Sequence, residues 1–190
     1  MKSLVISLKI FLFLTVLTGI IYPLFITGIV QLAFPAKANG SLIIKDNKPI
    51  GSELIGQQND SSVYFSSRPS AISYNPLPSG GSNYGLTNDT LRKIISKHMR
   101  QFIEFNQLDS LTEIPSEMVF ASASGLDPDI SPKAALLQVD RVSKARHFNN
   151  TQKQKLIQCI KDLTKTPQFL CLGNERVNVL LLNIETDNIK

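Results

Sequence analysis

The residues best suited to chemistry are few, and each set lacks a member. Ser79, Gly80, Gly81 and Ser82 make a loop of small residues whose backbone N–H groups could face an anion, because glycine lets a ligand approach the main chain closely. An ordinary Gly-rich turn has the same composition, and both readings stand. No Gly-Lys-Ser/Thr phosphate loop is present, so the chain is not expected to hydrolyse nucleotide alone. Asp127, Asp129 and Ser131 are spaced like the first three ligands of a calcium loop. Pro132, however, occupies the place of the required glycine, and Gln138 that of the final bidentate Glu. Asp127 before Pro128 suits a turn former better. Ser124 lies in Ala-Ser-Gly but lacks the glycine two residues earlier that a nucleophile elbow needs. His98 and His147 are the only histidines, and neither has a third group to orient it, so both are expected at the surface. Cys159 and Cys171 complete no zinc set; one disulfide outside the cytoplasm and two unpaired thiols remain open. No catalytic residue, metal site or firmly bound cofactor is expected.

The elements that would position these groups are short. Residues 41–46 and 49–52 read as strands about a turn at Asn47-Lys48, and Val63-Tyr64-Phe65 as another short strand. Residues 66–88 are rich in Ser, Pro, Gly and Asn, with no periodic apolar face. A loop of that length in a compact domain is usually functional or disordered. Thr87 or Asn88 caps a helix running to about Gln107, with Leu91, Ile94, Ile95, Phe102 and Phe105 on one stripe. Residues 118–121 are a strand candidate. Ser131 followed by Pro132 starts a helix expected to run to Arg146, with Ala135, Val139 and Val142 inward. Asn149 or Asn150 caps the next helix, with Leu156, Ile160 and Leu163 on one face. Arg176 to Ile184, rich in Val and Leu, reads as the clearest strand. The sum is a small mixed α/β or α+β domain, residues 37–190. Setting aside the two lysines before residue 10 leaves 18 basic against 15 acidic residues, a balance too mild to imply nucleic acid. Arg141, Lys144, Arg146, Lys153, Lys155 and Lys161 read as a solvated basic helix face, or one that meets anionic headgroups or an acidic partner.

Ahead of this domain, no charge occurs from Ile10 to Ala36, with Lys9 and Lys37 closing the run. Sixteen of the residues from Ile10 to Phe34 are Leu, Ile, Val or Phe. At roughly 0.3–0.6 kcal/mol each they favour insertion by at most about 5–10 kcal/mol. A helix of residues 10–34 reaches about 37 Å, enough to cross a hydrocarbon core of about 30 Å with some tilt. A signal peptide is the rival, with Ala36-Lys37-Ala38 as a small-x-small cleavage pattern, but its apolar core is only about 7–15 residues. A retained transmembrane helix is therefore expected. Pro23 should kink it, and the freed carbonyl needs a hydroxyl or a neighbouring helix. Thr15, Thr18, Gly19, Thr27, Gly28 and Gln31 suit a packed helix interface, or merely tolerate the bilayer. Lysine counts on either side of the span are nearly equal and give no orientation.

These segments together resemble the C-subunit (KdpC) family of Kdp-type potassium-transporting ATPases. The likeness runs through Thr18-Gly19, Tyr22-Pro23, Gln31 and Phe34-Pro35, then Gly51-Ser52 and Leu54-Ile55-Gly56-Gln57. It continues through Tyr64-Phe65, Arg68-Pro69-Ser70-Ala71 and Ser79-Gly80-Gly81-Ser82-Asn83. The most specific block is Ala123-Ser124-Gly125-Leu126-Asp127-Pro128 with Ile130-Ser131-Pro132, Gln138-Val139, Arg141-Val142 and Ala145-Arg146. Arg176-Val177-Asn178-Val179-Leu180 and Leu182-Asn183 complete it. This chain has Asp129 where the family commonly has His, and Leu86 where it commonly has Pro.

The resemblance implies a non-catalytic accessory subunit of an ATP-driven potassium import pump in the bacterial inner membrane. It implies residues 1–9 in the cytoplasm, one span, and a domain outside against the channel-like subunit. The ATP-hydrolysing subunit and a small single-span subunit are the other implied partners. Thr18, Gly19, Tyr22, Pro23, Gln31, Arg68, Asn83 and Asp127 are the expected partner-contact positions. The family is also described as a catalytic chaperone that raises the ATP affinity of the ATP-hydrolysing subunit. On that reading Ser79–Ser82 would contact nucleotide, and only in the ternary complex. If the span is retained, the mass of the mature chain will match a start at Met1; a chain beginning at Asn39 would refute it.

Overall fold

The computed structural model describes residues 2–45, 47–169 and 171–189. They fall into two compact units, one ending at Ile50 and one starting at Gly51.

The first unit is dominated by a continuous helical run, Lys2–Ala33, long and apolar enough to cross a membrane. It comprises α1 (Lys2–Val16), a π-helical turn (Leu17–Ile21) and α2 (Tyr22–Ala33). The π turn lies immediately ahead of Pro23. Proline has no N–H, and its ring crowds the carbonyl four residues back, so widening the preceding turn relieves both problems. The Tyr22 N–H accordingly reaches back five residues to Leu17 O. Hydroxyls supply further bonds inside the same helix. Thr15 donates to Phe11 O at 2.8 Å, Thr18 to Leu14 O at 2.7 Å and Thr27 to Pro23 O at 2.8 Å. The expected proline distortion is thus a π turn; the threonine hydroxyls bond the carbonyls of Phe11, Leu14 and Pro23, not that of Gly19 four residues before the proline. Phe34 breaks the helix, and α3 (Pro35–Ala38) follows. The side-chain amides of Gln31 and Asn39 bond reciprocally at 3.3 and 3.4 Å. The strands β1 (Leu42–Lys45) and β2 (Lys48–Ser52) then form a two-stranded sheet, close to expectation. Asp46, the last residue of the first expected strand, lies outside the described residues.

The second unit is mixed, but richer in helix than the sequence reading suggests. Asn88 caps α4 (Asp89–Asn106) by accepting from Thr90 N, as expected. Asn149 and Gln152 form a reciprocal capping box on α7 (Asn150–Leu163). The single helix expected from Pro132 to Arg146 is two, α5 (Pro132–Leu136) and α6 (Val139–Ala145). At the break, the Gln138 N–H bonds to Ala135 O, three residues back, while its side-chain amide takes Ala134 O. A side chain competing for the helical acceptor ends the helix there.

The expected strand Arg176–Ile184 is wrong over most of its length. Only Val177–Asn178 (β4) is strand; it pairs antiparallel with β3 (Asp129–Ile130), which the sequence reading missed. From Val179 to Asp187 the chain is helix α8, capped by Asn178, whose side chain accepts from Leu181 N. Its buried residues are Val179, Leu182, Asn183 and Thr186, the i, i+3, i+4, i+7 stripe of a helix. Likewise, Val63–Phe65 forms no strand, and Ser116–Met118 is a 3₁₀ turn where a strand was expected to begin.

One core joins Phe65, Phe102, Met118, Ile130, Val139, Val142, Leu156, Ile160, Val177 and Leu182, with α7 packed on α5, α6 and α8. Leu156 is fully buried at its centre. Leu156→Ala should lower unfolding stability by about 2–5 kcal/mol, read from chemical denaturation.

Candidate functional site

Residues 61–66 run from exposed Ser61 and Ser62 to buried Phe65 with no neighbouring strand. Side chains from α6, α8 and the α5–α6 junction take the strand's place. Asn183 accepts from Phe65 N at 2.7 Å and donates to Phe65 O at 3.0 Å. Gln138 does the same for Ser66, at 2.7 and 3.3 Å. Arg141 donates to Ser61 O, Ser62 O and Tyr64 O at 3.2, 2.7 and 2.9 Å, and also to Asn106 and Gln138. Its guanidinium stacks on Phe105, 4.3 Å from the ring centroid. Burial pushes Arg141 down to about 10, so it stays a cation at neutral pH. Arg146 donates to Val63 O at 2.7 Å, pairs with Asp187 at 2.8 Å and stacks on Tyr64. The expected solvated basic face is therefore split. Arg141 is buried and Arg146 half-buried, both directed at main chain, whereas Lys144, Lys155 and Lys161 are exposed. The signal for this was available: Gln138, Arg141 and Asn183 sit among the inward apolar positions Val139, Val142 and Leu182.

The clamped segment leads into a cluster of loops that gathers most of the candidate site residues of this unit. Arg68 and Asp127, both expected at partner contacts, bind each other at 2.6 Å. The other Asp127 oxygen accepts from Asp129 N at 3.0 Å, which confirms the turn-forming role. Ser70 donates to Gly125 O at 2.7 Å and accepts from Tyr74 N at 3.0 Å. The Tyr74 hydroxyl donates to Arg68 O, and burial pushes its pKa up to about 12, so it remains a donor. Gly80 N–H donates to Ser124 O at 3.0 Å, so one donor of the Ser79–Ser82 loop is already engaged. Gly125 has φ +70°, and a Cβ there would come within 2.9 Å of Gly80 O. Gly56, whose N–H bonds to Leu126 O, would set a Cβ 2.5 Å from Asp127 O. Ser79, Ser82 and Asn83 are exposed on this cluster.

Beside the cluster lies a cleft of about 810 Å³, lined by Arg68, Ser70, Tyr74, His98, Phe102 and Phe105 among others. Ser79–Ser82 do not line it. His98, expected at the surface, is half-buried with Nδ1 2.9 Å from Val119 O; His147 is exposed. Ser124 Oγ accepts locally from Leu126 N at 3.1 Å. Cys159 and Cys171 are free thiols, which closes the disulfide alternative in this structure. Among the described residues no group of three or more His, Cys, Asp or Glu is arranged to hold a metal ion.

In the other unit, Thr18, Gly19, Tyr22 and Pro23 fall together at and just after the π turn. Gln31 sits two turns further on, paired with Asn39.

Two measurements test this reading. Asn183→Ala strands a buried N–H and a buried C=O on Phe65 and should cost about 2–5 kcal/mol of stability in denaturation. Asp129 is held above the ordinary carboxylate range by burial first and the Asp127 charge second, against Arg176, Lys165 and Asn178, which act to lower it. The folded state then binds the proton more tightly than the unfolded one. Stability should fall as pH rises from the ordinary value of 3.8 through the raised one. Asp129→Asn should flatten that slope in thermal melts taken across acid pH.

The family model described as "KdpC: K+-transporting ATPase, c chain" matches residues 4–188. A potassium-transporting ATPase KdpC subunit of Caldanaerobacter subterraneus subsp. tengcongensis is 44% identical over 179 residues, covering 94% of this chain and 91% of its own. The KdpC subunit of Photorhabdus laumondii is 43% identical over 186 residues, covering 96% of this chain and 94% of its own. That of Bacillus cereus strain B4264 is 48% identical over 170 residues, covering 89% and 86%. With the match running from the apolar helix through the last helix of the domain, the chain belongs to the KdpC family, the c chains of K+-transporting ATPases.

Proposed function

We infer that the chain is a non-catalytic accessory subunit of an ATP-driven, high-affinity potassium import pump. It acts by holding the channel-like and ATP-hydrolysing subunits in one complex. One observation carries this reading: the loops at Gly125 and Asp127 are tied together by internal bonds, Arg68 to Asp127, Ser70 to Gly125 O and Gly80 N–H to Ser124 O. They present a fixed surface and align no nucleophile with a base. Leu77 and Leu86 on the adjoining 66–88 loop are 82% and 84% exposed. In this reading the helical run crosses the inner membrane once, residues 1–9 are cytoplasmic, and the domain stands outside against the channel-like subunit. A small single-span subunit completes the assembly. Thr18, Gly19, Tyr22, Pro23 and Gln31 contact partner helices, while Arg68, Asn83 and Asp127 support the docking face of the domain.

The nucleotide reading assigns ATP contact, in the ternary complex only, to exposed Ser79 and Ser82 with Gly80 and Gly81. The Gly80–Ser124 bond leaves that loop fewer main-chain donors for phosphate.

Loss of the gene should abolish growth at limiting potassium and yield no intact pump; normal growth with an active pump would overturn the assembly role. In sealed inside-out vesicles the domain should resist added protease, and cleavage there would place it in the cytoplasm. Photolabelling the complex with an ATP analogue should proceed equally with Ser79→Ala and Ser82→Ala if assembly is the whole role. Lost labelling would favour the nucleotide reading.

A further inference from the structure

The β1–β2 hairpin is an apolar surface tied directly to the end of the membrane-spanning helix. The connection has little slack. Phe34 N bonds to Val30 O, Ala38 N to Phe34 O, Asn39 N to Pro35 O, and Ser41 N back to Ala36 O at 2.9 Å. Leu42, the first residue of β1, is thus one residue from a point hydrogen-bonded to α3. Ala36 is itself three residues past the last residue of α2, at most about 11 Å of chain. The helix and the hairpin as far as Ile50 also cluster as one compact unit, with Gly51 and Ser52 at the end of β2 in the other.

Leu42 and Ile44, two apart in β1 and so on one face, are 57% and 66% exposed; Ile50 of β2 is also exposed. The basic residues cluster here as well. Lys37, Lys45 and Lys48 stand against Asp46 alone in the sequence from Phe34 to Ile50. Exposed Phe34, with Lys37 6.0 Å above its ring, marks the same level. Aromatic and basic residues at a span's end, followed by uncovered aliphatic side chains, match the polarity gradient between acyl chains and phosphates.

We propose that the β1–β2 hairpin lies in the lipid headgroup layer. There Leu42 and Ile44 reach the acyl boundary while Lys37, Lys45 and Lys48 meet lipid phosphates. The hairpin is then a second, shallow membrane contact that fixes how the span is rotated and how deeply it sits. This rests on the span being retained in the bilayer, and the test separates the two ideas.

The chain contains no tryptophan, so a single introduced indole reports alone. Ile44→Trp, Leu42→Trp and, within the span, Phe13→Trp are placed one at a time in the full chain. Each is reconstituted in phosphatidylcholine–phosphatidylglycerol vesicles whose lipids carry bromine near the ester end or near the chain end. Ile44→Trp and Leu42→Trp emission should be roughly halved by the shallow bromine and fall less with the deep one, as for a segment buried about 5–10 Å into the boundary. Phe13→Trp should be quenched by brominated lipid in either case. If Phe13→Trp is quenched but the hairpin reporters emit at long wavelength without quenching, the hairpin is in water and the proposal fails while the span stands. Blue-shifted, unquenched hairpin emission means a protein surface covers it, and also overturns the proposal. If Phe13→Trp is unquenched too, the retained span itself is wrong.

Discussion

Buried main chain without a neighbouring strand sets the terms for this domain. Each N–H and C=O removed from water must find a partner or cost about 1–3 kcal/mol. Residues 61–66 solve this with amides and guanidinium groups from helices far along the sequence. The Phe65 N–H and C=O are both taken by Asn183, and those of Ser66 by Gln138. Arg141 gathers the three carbonyls at Nη1 while its Nε and Nη2 donate to Asn106 and Gln138, a spread of donors that a lysine's single ammonium does not reproduce. With that segment seated, Arg68, Ser70 and Tyr74 follow in fixed places, and the loops at Gly80 and Gly125 close on them.

This explains why the most family-like blocks contain so little chemistry. Gln138, Arg141, Arg146, Asn178 and Asn183 are engaged in holding main chain or capping a helix. Asn178 does both, accepting from Leu181 N and donating to Glu53 O at 2.8 Å. A polar residue inside an apolar stripe reads in sequence as an interruption or a surface position. Its role depends on which distant segment passes over it, and that information is not local.

Legibility therefore followed locality. Asn88, Ser131 and Asn149 were readable as caps because a cap and its acceptor bonds lie within a few residues. The Asp127 turn was readable for the same reason. Leu180, Leu181 and Leu182 suggested a strand because a short apolar run does not separate strand from helix; the buried stripe from Val179 to Thr186 does. The break at Gln138 and the pairing of β3 with β4 needed the third dimension. Of the candidate residues, Arg68 and Asp127 proved to be partners of each other, which no spacing along the chain reveals. In the helix, Pro23 announced a distortion, but its form as a π turn depended on how the preceding turn could relax.

The clamp also bears on the order in which the domain can close. Phe65 and Asn183 are 118 residues apart, so during synthesis from the N-terminus the receptor for residues 61–66 emerges late. Gln138, Arg141 and Arg146 can hold the flanking residues earlier, but until α8 has formed the buried main chain of Phe65 lacks its partner. The last helix to leave the ribosome is thus the latch on Phe65, and a chain cut short before it leaves that buried N–H and C=O without their amide.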